Sequence, residues 1–186
     1  STVPQLMAEA RKVVSGRGLD ITPFKELLEK YVDEEKIRSS PCDLYVTSLS
    51  VTDRREVVFD VKQAPSGTIK DVLLASAFFP AFKNEKLGGK TYLDGGMVNN
   101  VPVDVLAERG YKNLIVIRIY GIGVDTERRT ELPEDVNVCR IAPRRNLGGI
   151  LEFEKKRTRR SMTLGYFDAK RLLYGLAGRK DYFYLP

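Results

Sequence analysis

Apolar and polar positions repeat along this chain with two periods, 3.6 and 2, and the switches between them mark out its elements. Val3 to Val14 sets Leu6, Ala10, Val13 and Val14 at helical spacing, and Gly16 and Gly18 then end that helix. Thr22 is a good N-cap, with Pro23 at the first helical position and Glu26 in the first turn, for a helix running through Tyr31. Asp33 to Arg38 forms a further short helical turn. Leu44 to Val51 alternates and is rich in Val, Thr and Tyr, which predicts a strand. Glu56 to Val61 is its hairpin partner across the polar turn Thr52-Asp53-Arg54-Arg55.

The second half alternates helix and strand. Thr68 caps a helix to Phe78, with Ile69, Val72, Leu73 and Ala77 at helical spacing, and Pro80 closes it. Lys90 to Leu93 is a short strand entering Asp94-Gly95-Gly96, and Val103 to Arg109 is a helix stopped by Gly110. Asn113 to Tyr120 is nearly all apolar, which suits a parallel strand buried on both faces. Val136 to Ala142 predicts another strand, and Glu154 to Tyr174 a long helix with Met162, Leu164, Phe167 and Leu172 among its apolar residues. This order of elements points to a three-layer α/β/α fold.

Composition narrows the chemistry. The 186 residues fit one medium domain or most of a larger one, and no apolar run is long enough to cross a bilayer. There is no histidine, which excludes a Ser-His-Asp triad, a Cys-His pair and imidazole metal sites within this chain. Two cysteines, Cys42 and Cys139, are too few for a four-thiolate zinc site or a disulfide framework. A reducing, cytoplasmic setting is expected. The chain begins at Ser1, with no apolar signal core behind it, and a trimmed or partial chain is expected from that start.

Charge is concentrated in one place. The net charge is +6, and Arg140 to Arg160 alone carries eight basic and two acidic residues, so the remainder is neutral. The segment is either a solvated helix face or a surface for phosphate.

Two stretches carry candidate chemistry: Leu74-Ala75-Ser76-Ala77-Phe78-Phe79-Pro80-Ala81-Phe82, and Tyr92-Leu93-Asp94-Gly95-Gly96-Met97-Val98-Asn99-Asn100-Val101-Pro102. Taken singly, the first is a helix boundary and the second begins with a common hairpin signal. Together, at this spacing, they resemble the patatin-like phospholipases, whose A-S-x-A-x-P-x-F block precedes D-G-G-x-x-x-N-x-P. The matching positions are Ala75, Ser76, Pro80 and Phe82, then Asp94, Gly95, Gly96, Asn100 and Pro102. Gly18-Leu19-Asp20-Ile21-Thr22-Pro23 and Leu147-Gly148-Gly149-Ile150-Leu151 resemble the bacterial branch of that family.

The resemblance implies a patatin-like α/β fold and a lipid acyl hydrolase of the esterase or phospholipase A type. It needs no metal or organic cofactor and acts on a lipid or ester. The family uses a Ser-Asp dyad, which tolerates the absence of histidine, and Asp94 is then the general base. Burial must raise its basicity, since a free Asp titrates near ~3.9. Gly95 and Gly96 let the backbone come close to it.

Two departures stand out. Phe78 replaces a small residue of the first block and is expected to reshape the acyl pocket. The nucleophile elbow G-x-S-x-G and the Gly-rich oxyanion loop are missing, so the chain is expected to be the C-terminal portion of a single patatin-like domain. Its missing N-terminal part would supply the serine, and the chain alone would be inactive. Ser76, at a helix end, is expected to cap or pack rather than attack. Ser15, between a helix and Gly16, belongs to a helix stop, because a phosphate cradle would follow a strand.

The rival reading is a non-catalytic α/β module that binds anionic lipid or nucleic acid. It would use Arg144, Arg145, Lys155, Lys156, Arg157, Arg159 and Arg160. For the hydrolase, no nucleic acid is expected, and a peripheral place at an anionic membrane surface is.

Overall fold

The computed structural model describes residues 18–119, 131–148 and 154–177. The expected helix over Val3 to Val14, Ser15, Tyr120 and Gly149 to Leu151 lie outside the described residues. The chain divides into two compact units, one holding the described residues 18–102 and the other those from 103 onward.

The first unit opens with α1, Thr22–Tyr31, and α2, Glu34–Ser39. Thr22 is already helical, so it does not cap α1. Instead the Asp20 carboxylate accepts from the Thr22 amide at 2.9 Å and the Thr22 hydroxyl at 2.8 Å. Glu26 consequently falls beyond the first turn, which holds no acidic residue. Asp33 caps α2 as its residue type favours, accepting from the Lys36 amide at 3.1 Å.

The hairpin forms as the alternation predicts. Strand β1, Tyr45–Ser50, pairs antiparallel with β2, Arg55–Asp60, with Tyr45 opposite Asp60 and Ser50 opposite Arg55. Arg54 takes a positive φ of 55° in the turn, and Asp53 braces that turn by accepting from the Ser50 hydroxyl and from Lys90. Helix α3, Ile69–Ser76, ends two residues before Phe78. Thr68 stands at its N-cap position, but the hydroxyl donates to the Pro65 carbonyl at 2.7 Å instead of capping the helix. The short β3, Lys86–Leu87, and β4, Lys90–Asp94, complete a four-stranded antiparallel sheet in the order β2-β1-β4-β3.

Helix α3 joins two apolar clusters. Leu74 packs with Ile21 and Phe78, flanked by Phe24, Phe82 and Tyr92. Ile69 and Val72 pack with Val61, flanked by Ile37, Val46 and Phe59. Phe78 is fully buried in the first cluster, so its ring fills core volume beside the site.

In the second unit, α4 spans Val103–Ala107 and Gly110, at φ 87°, stands beyond its end. Strand β5, Asn113–Ile117, pairs parallel with β6, Asn137–Ile141. Parallel pairing is as expected, but burial on both faces is not. Leu114 and Val116 are buried, while Ile115 and Ile117 are 62% and 71% exposed. Helix α5, Lys155–Tyr174, buries only Asp168, and Met162 and Leu172 lie on the surface. The protein is thus a mixed α/β chain, and among its described residues no helix is long and apolar enough to cross a membrane.

Candidate active site

Strand β4 ends at Asp94 and runs directly into a tight 3₁₀ turn, Gly95–Met97. The turn is closed by the Gly95 carbonyl, which accepts from Val98 at 3.0 Å and Asn99 at 2.9 Å. Gly95 is buried against β1. A Cβ there would lie 2.3 Å from Thr47 Oγ1 and 2.4 Å from the Thr47 carbonyl oxygen, so only glycine fits. Asp94 caps the turn, its Oδ1 accepting from the Gly96 amide at 2.7 Å.

The strand is tied to the end of α3 from two sides. The Asp94 amide donates to the Phe78 carbonyl at 2.8 Å. The fully buried Ser48 hydroxyl lies 2.8 Å from the Ala75 carbonyl and 2.9 Å from the Leu93 carbonyl, bridging the helix to the residue before Asp94. The first block is in turn stitched to residues much earlier in the chain. Leu19 donates to Ala81 at 2.8 Å and accepts from Lys83 at 2.8 Å. Gly18 makes this crossing possible: its φ is +59°, and a Cβ would sit 2.6 Å from the Lys83 nitrogen. Three stretches far apart in sequence therefore meet around Asp94.

Asp94 is half-buried, and desolvation pushes its carboxyl above the ordinary carboxylate value against the opposing pull of the Gly96 N–H. One oxygen is held by that amide, and Oδ2 accepts no hydrogen bond from the described residues. Such a group keeps a fixed orientation and an open, basic oxygen. Ser76, half-buried, is the last residue of α3, and Ser15 lies outside the described residues. Asn100 is exposed with its side-chain oxygen against Gly96, and Pro102 lies just before α4.

The family model for patatin-like phospholipases matches residues 5–107, more than half of the chain. The chain belongs to the patatin-like phospholipase family. No curated protein matches it. The family is one of lipid acyl hydrolases acting on lipid or ester substrates. The matched span takes in all three stretches that meet at Asp94 and stops well before the basic segment.

That segment of the patatin-like chain splits in two. Arg144 does not join the other cations, because its guanidinium pairs with the buried Asp168 carboxylate of α5. The Arg144 amide donates to the same carboxylate at 3.3 Å. Arg145, Lys155, Lys156, Arg157, Arg159 and Arg160 instead line a shared groove. Sequence reasoning missed Thr47 and Ser48, whose polar side chains in an alternating strand resemble solvent-facing positions.

Proposed function

We propose that Asp94 is the general base of a serine acyl hydrolase acting on lipid or simple esters. The observation that carries this reading is the Asp94 carboxylate itself, with Oδ1 locked on the Gly96 amide, Oδ2 open, and its basicity raised by burial. In this scheme Oδ2 takes the proton from a serine hydroxyl as its oxygen attacks the acyl carbonyl. The ester C–O bond then breaks, and the departing alcohol takes the proton from Asp94. Water, deprotonated by the same carboxylate, releases the fatty acid from the acyl-serine.

The serine and the oxyanion donors belong to polypeptide outside these 186 residues, since no pair of glycines here frames a serine as G-x-S-x-G. Two measurements test the reading. The 186-residue chain alone should not turn over p-nitrophenyl esters. In the protein that also carries the serine segment, Asp94→Asn should lower kcat/KM by about 10² to 10⁴ without lowering the thermal midpoint. A loss under about tenfold removes Asp94 as the base.

A further inference from the structure

We infer that α5 is a docking helix for the surface of an anionic lipid bilayer, a role independent of Asp94. Two features of the helix coincide. Its first two turns carry Lys155, Lys156, Arg157, Arg159 and Arg160, which with Arg145 line an open groove of about 1050 Å³. Leu147, Leu164 and Phe167 form apolar parts of its wall. This is the wrong end of a helix for cations: the macrodipole favours carboxylates there, and the first turn of α5 holds none. Among the described residues, Glu154 at the N-cap is the one carboxylate of α5 beside these cations, and an anionic surface facing the exposed Lys155, Lys156, Arg159 and Arg160 would relieve their mutual repulsion.

The second feature is an apolar stripe beside those charges. At ~100° per residue, Lys155, Arg159, Met162, Tyr166 and Leu173 fall within a band about 60° wide. Asp168, the buried anchor of the helix, lies on the opposite side. Met162 is 71% exposed, Tyr166 56% and Leu173 50%. The Tyr166 ring is steadied by Lys170, whose Nζ lies 5.1 Å from its centroid, and by an edge contact with Phe167. Cations for headgroup phosphates, with Met, Tyr and Leu at helical spacing, make an interfacial helix that lies in the headgroup plane. A nucleic-acid surface would use the cations and leave Met162 and Leu173 idle, so the apolar stripe decides for lipid.

Sedimentation of the 186-residue chain with vesicles of phosphatidylcholine alone, or mixed with phosphatidylglycerol, tests this across a salt series. Binding should require phosphatidylglycerol and weaken with salt, because the Debye length falls below about 8 Å above physiological ionic strength. The exposed cations can be neutralised by combining Lys155→Gln, Lys156→Gln, Arg159→Gln and Arg160→Gln. That variant should lose at least about tenfold in partitioning, since each cation near such a surface contributes about fivefold. Met162→Ser with Leu173→Ser should keep the salt dependence and bind more weakly at every salt. Thermal melts confirm that each variant is folded, and the single replacements serve where a combination is not. Equal binding to both vesicle types, or neutralisation without effect, overturns the proposal. So does a preference for duplex DNA over the anionic vesicles that the serine replacements leave untouched.

Discussion

Ser48 and Asp94 stand directly opposite each other across the β1–β4 pair, and the Ser48 hydroxyl reaches two carbonyls, Ala75 of α3 and Leu93 of β4. A buried hydroxyl thus sets how far β4 lies from the end of α3, and so where the Asp94 carboxylate emerges. Ser48→Ala should cost about 1–3 kcal/mol, because the carbonyls it serves are left in a dry interior. Chemical denaturation measures this, and a change of less than a few tenths of a kcal/mol would mean the bridge carries no weight.

Gly95→Ala should be more damaging, since the added methyl meets both the side chain and the carbonyl of Thr47. Overpacking of this kind costs about 1–3 kcal/mol or more. Because the carbonyl belongs to the backbone, Thr47→Ala should fail to rescue the variant. Restoration of the wild-type thermal midpoint in the double variant would refute the backbone clash.

Asp94→Asn has a stability signature with a definite sign. The folded state raises the Asp94 pKa, so between the ordinary carboxylate value and the raised one it binds more proton than the unfolded chain. Stability from this group therefore declines as pH climbs through that window, and the cost persists above it. Asn resembles the protonated acid and escapes the cost. Relative to wild type, Asp94→Asn should gain stability as pH rises from about 4 towards neutrality. Melting curves at several pH values check this, and a constant or shrinking difference contradicts it.

Arg144→Gln should destabilise the second unit by about 3–5 kcal/mol, because it strands the Asp168 carboxylate in the interior. Asp168→Asn should cost less, since Asn can still accept from the Arg144 amide and the Arg144 side chain, 22% exposed against 3% for Asp168, is the less buried partner even though its Nη2 is enclosed. Urea unfolding of both variants, read by circular dichroism of α5, orders them. The reverse order would show that the guanidinium, not the carboxylate, is the buried liability.

Much of this was legible in the residues. Asp33 announced α2, the Val and Thr alternation announced the hairpin, and the paired motifs announced both the family and the position of Asp94. What escaped depended on partners distant in sequence. Thr22 has the chemistry of an N-cap, yet Asp20 two residues earlier outcompetes it for the same amide. The apolar run at β5 looks buried on both faces, but burial depends on what covers a strand, and here Ile115 and Ile117 face outward. Ser48 looks like a surface residue, and it is the packing of the α3 end and β4 around it, with a carbonyl from each within reach of its hydroxyl, that makes it part of the core. Arg144 looked like one more cation until Asp168, 24 positions later, claimed it.

The register of β4 on β1 also constrains how this chain can change its length. Side chains on a strand alternate faces, so one residue gained or lost between Lys90 and Asp94 would turn the carboxylate to the other side of the sheet. Gly95, pressed on Thr47, forbids absorbing the slip in the turn that follows. The Gly88-Gly89 hairpin, where an added Cβ would meet open space at both positions, has no such restriction. Insertions and deletions among relatives should therefore gather at that hairpin tip, while the few residues leading to Asp94 keep a constant count even where their identities drift.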